Sequence, residues 1–92
     1  MIIVSDTAVP KIPRGVRLSE DRVRKRWVLL APERILEIDE IAQAILMLCD
    51  GNRDVAAIGD ELARNYNADP SEIMTDIKEM LGGLAAKHFV TL

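Results

Sequence analysis

The chain has 92 residues, 49% of them apolar, and a formal charge of −3, which suits one small domain and leaves no room for a second catalytic lobe. Aromatic residues are limited to Trp27, Tyr66 and Phe89, so a core must be built from Ile, Leu, Val and Ala, a composition that is globular rather than disordered. The negative balance argues against a protein that coats nucleic acid, while the lone Cys49, in the apolar run ILMLC, excludes an internal disulfide and reads as a buried thiol in a reducing, cytoplasmic setting.

The opening MIIVSDTAVP has too short an apolar run for a signal-peptide core or a membrane span. Pro10 and Pro13 bracket a stretch poor in regular structure, so residues 1–14 are expected to form a flexible arm and 15–92 the folded domain. Val16 to Ser19 is a candidate first strand, followed by a charged turn through Glu20 and Asp21. Arg26 to Ala31 is the second strand, with Trp27 and Leu29 on one face and Val28 and Leu30 on the other. Pro32 ends it, because proline cannot donate to a ladder, and Pro32, Glu33 and Arg34 form the turn into a third strand, Ile35 to Ile38.

Asp39 stands where its carboxylate can cap the first free amides of a helix. That helix carries Ile41, Ala42, Ile45, Leu46, Leu48 and Cys49 at three- and four-residue steps, with Gly51 as its left-handed end. Asp54 opens a second helix with Val55, Ile58, Leu62, Ala63 and Tyr66 inward. Asp69, Pro70 and Glu72 give a third helix a capping acid, a proline at its first position and a carboxylate in its first turn. Its apolar side is Ile73, Ile77, Met80, Leu81 and Leu84; Gly82 and Gly83 imply either close backbone packing or an early end. Phe89 to Leu92 is a candidate final strand.

The predicted fold is therefore α+β: a small antiparallel sheet of about three strands followed by three helices, a winged helix-turn-helix outline. In Trp27-Val28-Leu29-Leu30, Pro32-Glu33-Arg34, the Ile38-Asp39-Glu40-Ile41-Ala42 junction, Ile45-Leu46 and Leu48-Cys49-Asp50-Gly51 the chain resembles the PqqD family of pyrroloquinoline quinone biosynthesis. The likeness runs over roughly residues 16 to 90, with Ala31 where the family often has tyrosine and Asp39 where it often has asparagine. The resemblance implies a non-catalytic peptide carrier without cofactor or metal. It would bind the precursor peptide PqqA as an added strand beside the third strand and third helix, and present it to the radical S-adenosylmethionine enzyme PqqE.

The residues accommodate that mode, since an edge strand leaves amides and carbonyls unpaired for an extended peptide whose side chains reach an apolar helix. The edge is placed at Ile35, Leu36, Glu37 and Ile38, and the helical wall at Ile73, Asp76, Ile77, Met80 and Leu81. The basic run Arg22, Arg24, Lys25 and Arg26 is a candidate docking surface for the partner enzyme. The alternative, a winged-helix DNA-binding regulator, is disfavoured because Glu72, Asp76 and Glu79 of the third helix would meet phosphates with the wrong sign. Catalysis is disfavoured too: His88 and Cys49 are far apart in sequence, and no phosphate loop is present. An unpaired edge and an apolar arm are also compatible with a homodimer.

Overall fold

In the computed structural model, which describes residues 2–92, two hairpins build a three-stranded antiparallel sheet from β1 (Arg17–Asp21), β2 (Arg26–Ala31) and β3 (Arg34–Ile38), in that spatial order. Strand β1 runs two residues further than the sequence suggests, taking in Glu20 and Asp21, because Arg26 across the hairpin lies 3.5 Å from Asp21 and 2.9 Å from Glu37 and binds the three strands across one face. Only Pro32 and Glu33 separate β2 from β3. Proline fixes the first of these with its ring, and Glu33 follows at a φ of 60°, a left-handed conformation that reverses the chain at once.

The register pairs Trp27 with Ile38, Leu29 with Leu36 and Leu18 with Leu29, so these side chains share the inner face of the sheet. Three helices cover that face: α1 (Glu40–Met47), α2 (Val55–Tyr66) and α3 (Pro70–Ala86). Each begins at an aspartate whose side chain accepts an amide hydrogen: Asp39 from Ala42 at 2.8 Å, Asp54 from Ala57 at 2.8 Å, and Asp69 from Ser71 at 2.9 Å. Leu29, Ile45, Leu46, Val55, Ile58, Ile77 and Leu81 are buried almost completely and form the centre of one continuous core. The expected inward stripes overreach at two places: Ile41 and Tyr66 are 63% and 61% exposed.

The expected flexible arm, of which Met1 lies outside the described residues, is instead tied to the rest of the fold at several points, although Ile3 is 88% exposed. Val4 and Pro10 are buried, Ala8 and Asp6 accept hydrogen bonds from the Val55 and Ala56 amides, and Lys11 exchanges two 2.9 Å bonds with Thr91. Lys78 of α3 pairs with Asp6. These contacts stabilise the segment because its carbonyls meet the otherwise free amides at the start of α2. Helix α3 continues through both glycines. Gly82 is the close approach: a Cβ there would lie 3.1 Å from the Ile2 carbonyl oxygen and 3.6 Å from Val4. The expected last strand is reduced to the single Lys11–Thr91 bridge.

Candidate functional site

Strand β3 forms one border of the sheet, so one side of its backbone has no neighbouring strand. The phase of that free side follows from the turn. A two-residue loop is closed by a hydrogen-bonded pair, here Ala31 and Arg34, and antiparallel pairing alternates from there. Arg34, Leu36 and Ile38 thus turn their amides and carbonyls toward β2, while Ile35 and Glu37 turn theirs outward. Ile35 is 68% exposed.

Helix α3 runs antiparallel to this border, tied to it at one end and parted from it at the other. At one end Arg34 donates to the Lys87 carbonyl at 2.8 Å and its guanidinium lies 4.3 Å from the centre of the Phe89 ring. At the other, Glu37, Ile38 and Asp39 face Asp76, Glu79 and Met80 across a cleft of 470 Å³ floored by Ile41, Ala42 and Ile45. A smaller hollow of 210 Å³ adjoins it, bounded by Ile41, Ala44, Ile45, Leu62, Tyr66, Ala68, Ile73, Asp76 and Ile77. Ile41, Ile45 and Asp76 border both, so the two lie side by side.

The structure brings together Glu37, Ile38, Asp76 and Met80 of the residues singled out from sequence, and places Ile73 and Ile77 in the adjoining hollow. Leu36 points inward against the core, and Ile35 stands on the opposite face with only its backbone at the border. Leu81 is fully buried and belongs to the core rather than to the wall of the cleft. Sequence reasoning did not assign Asp39, Ile41, Ala42, Ala44, Ile45, Tyr66 or Glu79 to this surface. The available signal was the width of the α1 stripe: Ile41, Ala42, Ile45, Leu46, Leu48 and Cys49 exceed what one packed face can cover.

The cleft is acidic. Glu37 is joined to Arg26 at 2.9 Å and Asp39 is committed to capping α1, whereas Asp76 and Glu79 have no ion-pair partner among the described residues. At the start of α3, amide and hydroxyl hydrogen bonds from Ser71 hold the Asp69 carboxyl below its usual range. Burial pushes the Cys49 thiol up to about 12, with the Asp50 charge adding to it. Among the described residues no three His, Cys, Asp or Glu side chains gather as a metal site. Among the described residues no helix is long and apolar enough to cross a membrane.

The basic run borders the far side of the same strand end: Arg22, Lys25 and Arg26 share a hollow with Glu37, Ile38 and Asp39. Arg22, Arg24 and Lys25 sit in the β1–β2 loop, Arg22 3.6 Å from Glu20, together with Val23 at 93% exposure. Arg26 lines the hollow with Arg22 and Lys25 and is half-buried between Asp21 and Glu37.

A three-stranded antiparallel sheet followed by three helices, with a strand border left open beside the last helix, defines an α+β domain of winged-helix-like architecture. Residues 26–90 match the family model described as coenzyme PQQ synthesis protein D (PqqD). The chain is 58% identical over 90 residues, 98% of its length and 88% of the relative's, to a "PqqA binding protein" of Rhodopseudomonas palustris strain TIE-1. Its fold is similar, with a TM-score of 0.86 and 47% identity over 97% of this chain and 95% of the other, to the solution NMR structure of the PqqD truncation of Methylobacterium extorquens PqqCD, described as a functional, stand-alone recognition element for ribosomally synthesized and post-translationally modified peptides. It is also similar to the crystal structure of PqqD from Xanthomonas campestris, with a TM-score of 0.63 and 43% identity over 97% of this chain and 99% of that one. The chain belongs to the PqqD family.

Proposed function

We propose that this chain is the peptide-binding component of pyrroloquinoline quinone synthesis: it takes up the precursor peptide PqqA as a fourth strand on β3 and presents it to the radical S-adenosylmethionine enzyme PqqE. The observation that carries the reading is the open β3 border with its outward Ile35 and Glu37 backbone groups, set beside a cleft instead of against a covering element. A guest strand lies about 4.8 Å from its neighbour and satisfies those groups, while alternate side chains turn toward α3. The relative's name as a PqqA binding protein and the NMR neighbour's description as a peptide recognition element support the same role. The domain acts by binding and presenting; the chemistry belongs to its partner. The β1–β2 loop with Arg22, Arg24 and Lys25 is the surface proposed to meet the enzyme, being cationic and adjacent to the end of the cleft bordered by Glu37, Ile38 and Asp39.

Titration of isotopically labelled protein with synthetic PqqA, followed through backbone amide shifts, tests the binding mode. The largest changes are expected at residues 34–38 and along residues 73–80 of α3, with slowed exchange of the Ile35 and Glu37 amides. Changes confined to β1, or to the β1–β2 loop, would overturn it.

A further inference from the structure

We infer that the hollow between α1, α2 and the first half of α3 is an anchoring subsite: it holds one large apolar side chain of the guest peptide, from a segment that continues past the end of β3, next to a Lys or Arg of that peptide. The inference rests on the strand-addition reading and extends it beyond the five residues that β3 has to offer.

Size decides the occupant first. At 210 Å³ the hollow is far larger than the ~10–15 Å³ that lodges one water, and smaller than the ~300–1,000 Å³ usual for a drug-sized ligand or cofactor. One bulky side chain, with part of its backbone, matches it. Chemistry narrows the choice further. Ile41, Ala44, Ile45, Leu62 and Ile73 make the walls apolar, and Tyr66 stands at the rim, 61% exposed, where an aromatic ring can close over a guest.

Adjacency and charge then fix which molecule supplies that side chain. The hollow shares Ile41, Ile45 and Asp76 with the β3–α3 cleft, so a peptide that leaves β3 at Ile38 and crosses the first turn of α1 arrives at it. No Lys or Arg lines either cavity, whereas Asp76 borders both and Glu79 borders the cleft. Those two carboxylates lie one helical turn apart on α3, so a cation one or two positions from the anchor residue reaches both.

The test combines the amide titration with variants, using synthetic PqqA and a set of its single alanine replacements at apolar and at Lys or Arg positions. Filling the hollow by Ala44→Leu is expected to weaken PqqA binding about tenfold or more while leaving the β3 amide shifts in place at saturation. One apolar PqqA replacement is expected to lose affinity in wild type and to lose nothing further in the filled variant. Asp76→Asn is expected to weaken binding a few-fold and to flatten its salt dependence. Should Ala44→Leu fail to fold, Tyr66→Ala, at an exposed position, serves in its place with a several-fold loss expected. Wild-type shifts at residues 34–38 without shifts at Ala44, Tyr66 and Ala68, or unchanged affinity in Ala44→Leu, would overturn the subsite and leave strand addition standing. Absence of shifts at residues 34–38 would overturn strand addition itself.

Discussion

Gly83 offers a sharp test of the cleft, because free and bound states should respond to its replacement in opposite directions. At ~100° per residue, Asp76, Met80, Gly83 and Lys87 fall within a sector of about 60° on α3. Asp76 and Met80 line the cleft, and the Lys87 carbonyl is held by Arg34 at the far end of β3, so Gly83 lies midway along the surface that faces the open strand. A Cβ at Gly83 would meet nothing within 4 Å. No contact within the chain therefore requires glycine there, although glycine in an exposed helix is less favourable than alanine by roughly 0.5–1 kcal/mol.

Gly83→Ala should accordingly stabilise the free protein, raising Tm by about 2–8 °C for a domain of this size, given ~4–8 °C per kcal/mol. In the complex the added methyl stands where the guest backbone approaches α3, and overpacking of about 1–3 kcal/mol converts to roughly 5- to 150-fold weaker binding of PqqA. Calorimetric unfolding and isothermal titration measure the two effects on one preparation. Gly82→Ala is the control: it presses on the Ile2 carbonyl 3.1 Å away and should lower Tm. A Gly83→Ala protein that is more stable and binds PqqA as tightly as wild type would refute the argument that the guest lies against this face.

Proline substitution along β3 should alternate with the hydrogen-bond phase. Ile35→Pro removes an outward donor and is expected to leave Tm nearly unchanged while weakening PqqA binding about tenfold; Leu36→Pro breaks a ladder bond to β2 and should destabilise by about 1–3 kcal/mol, both read from melting and titration. Cys49 should resist alkylation in the folded protein at pH 8, its rate following global unfolding in a denaturant series, since burial holds the thiol protonated. Because its folded pKa of about 12 lies above the ordinary value of 9.0, the stability linked to it is fully present below pH 9 and lost as pH rises from 9 toward 12; Cys49→Ala should flatten that decline in alkaline melts. Asp69 is shifted the opposite way, so its contribution is present above pH 3.8 and lost as pH falls through the depressed folded value. Asp69→Asn should therefore show a smaller Tm loss than wild type between pH 4 and pH 2.

Much of the fold was readable because local chemistry and tertiary structure agree. The three capping aspartates, Pro70 at the start of α3 and the Pro32 turn are each dictated by the first few residues of an element. The N-terminal segment was not readable in the same way. Its order comes from partners distant in sequence, the amides of Val55 and Ala56, Thr91, and the bare backbone at Gly82, and a Pro-bracketed polar stretch carries no local sign of them. The cleft was half legible. Alternation identified β3 as a strand and periodicity identified the α3 wall, but which members of an apolar stripe face core and which face the cleft depends on how far apart the elements sit. Leu81 and Ile41 exchange roles for that reason: the first is sealed beneath the sheet, the second lies beyond the reach of any covering element.

An open strand border is ordinarily a hazard, since any exposed strand can extend it, and the arrangement around β3 restricts what does. Its five residues limit the ladder to a few bonds, too few to hold a guest without side-chain contacts. The helix is anchored to the strand by Arg34 at one end, which closes that end of the border. Asp39, Asp76 and Glu79 oppose an acidic guest, and a second copy of β3 would bring its own Glu37 and Asp39 to the same place. On the proposed binding mode, backbone pairing at Ile35 and Glu37 would supply a general affinity for extended chains, and the acidic cleft with its adjoining apolar hollow would supply discrimination among them. The two contributions are separable by salt. Raising ionic strength should weaken the carboxylate contacts within about a Debye length and spare the strand pairing, so PqqA affinity should fall to a plateau rather than vanish.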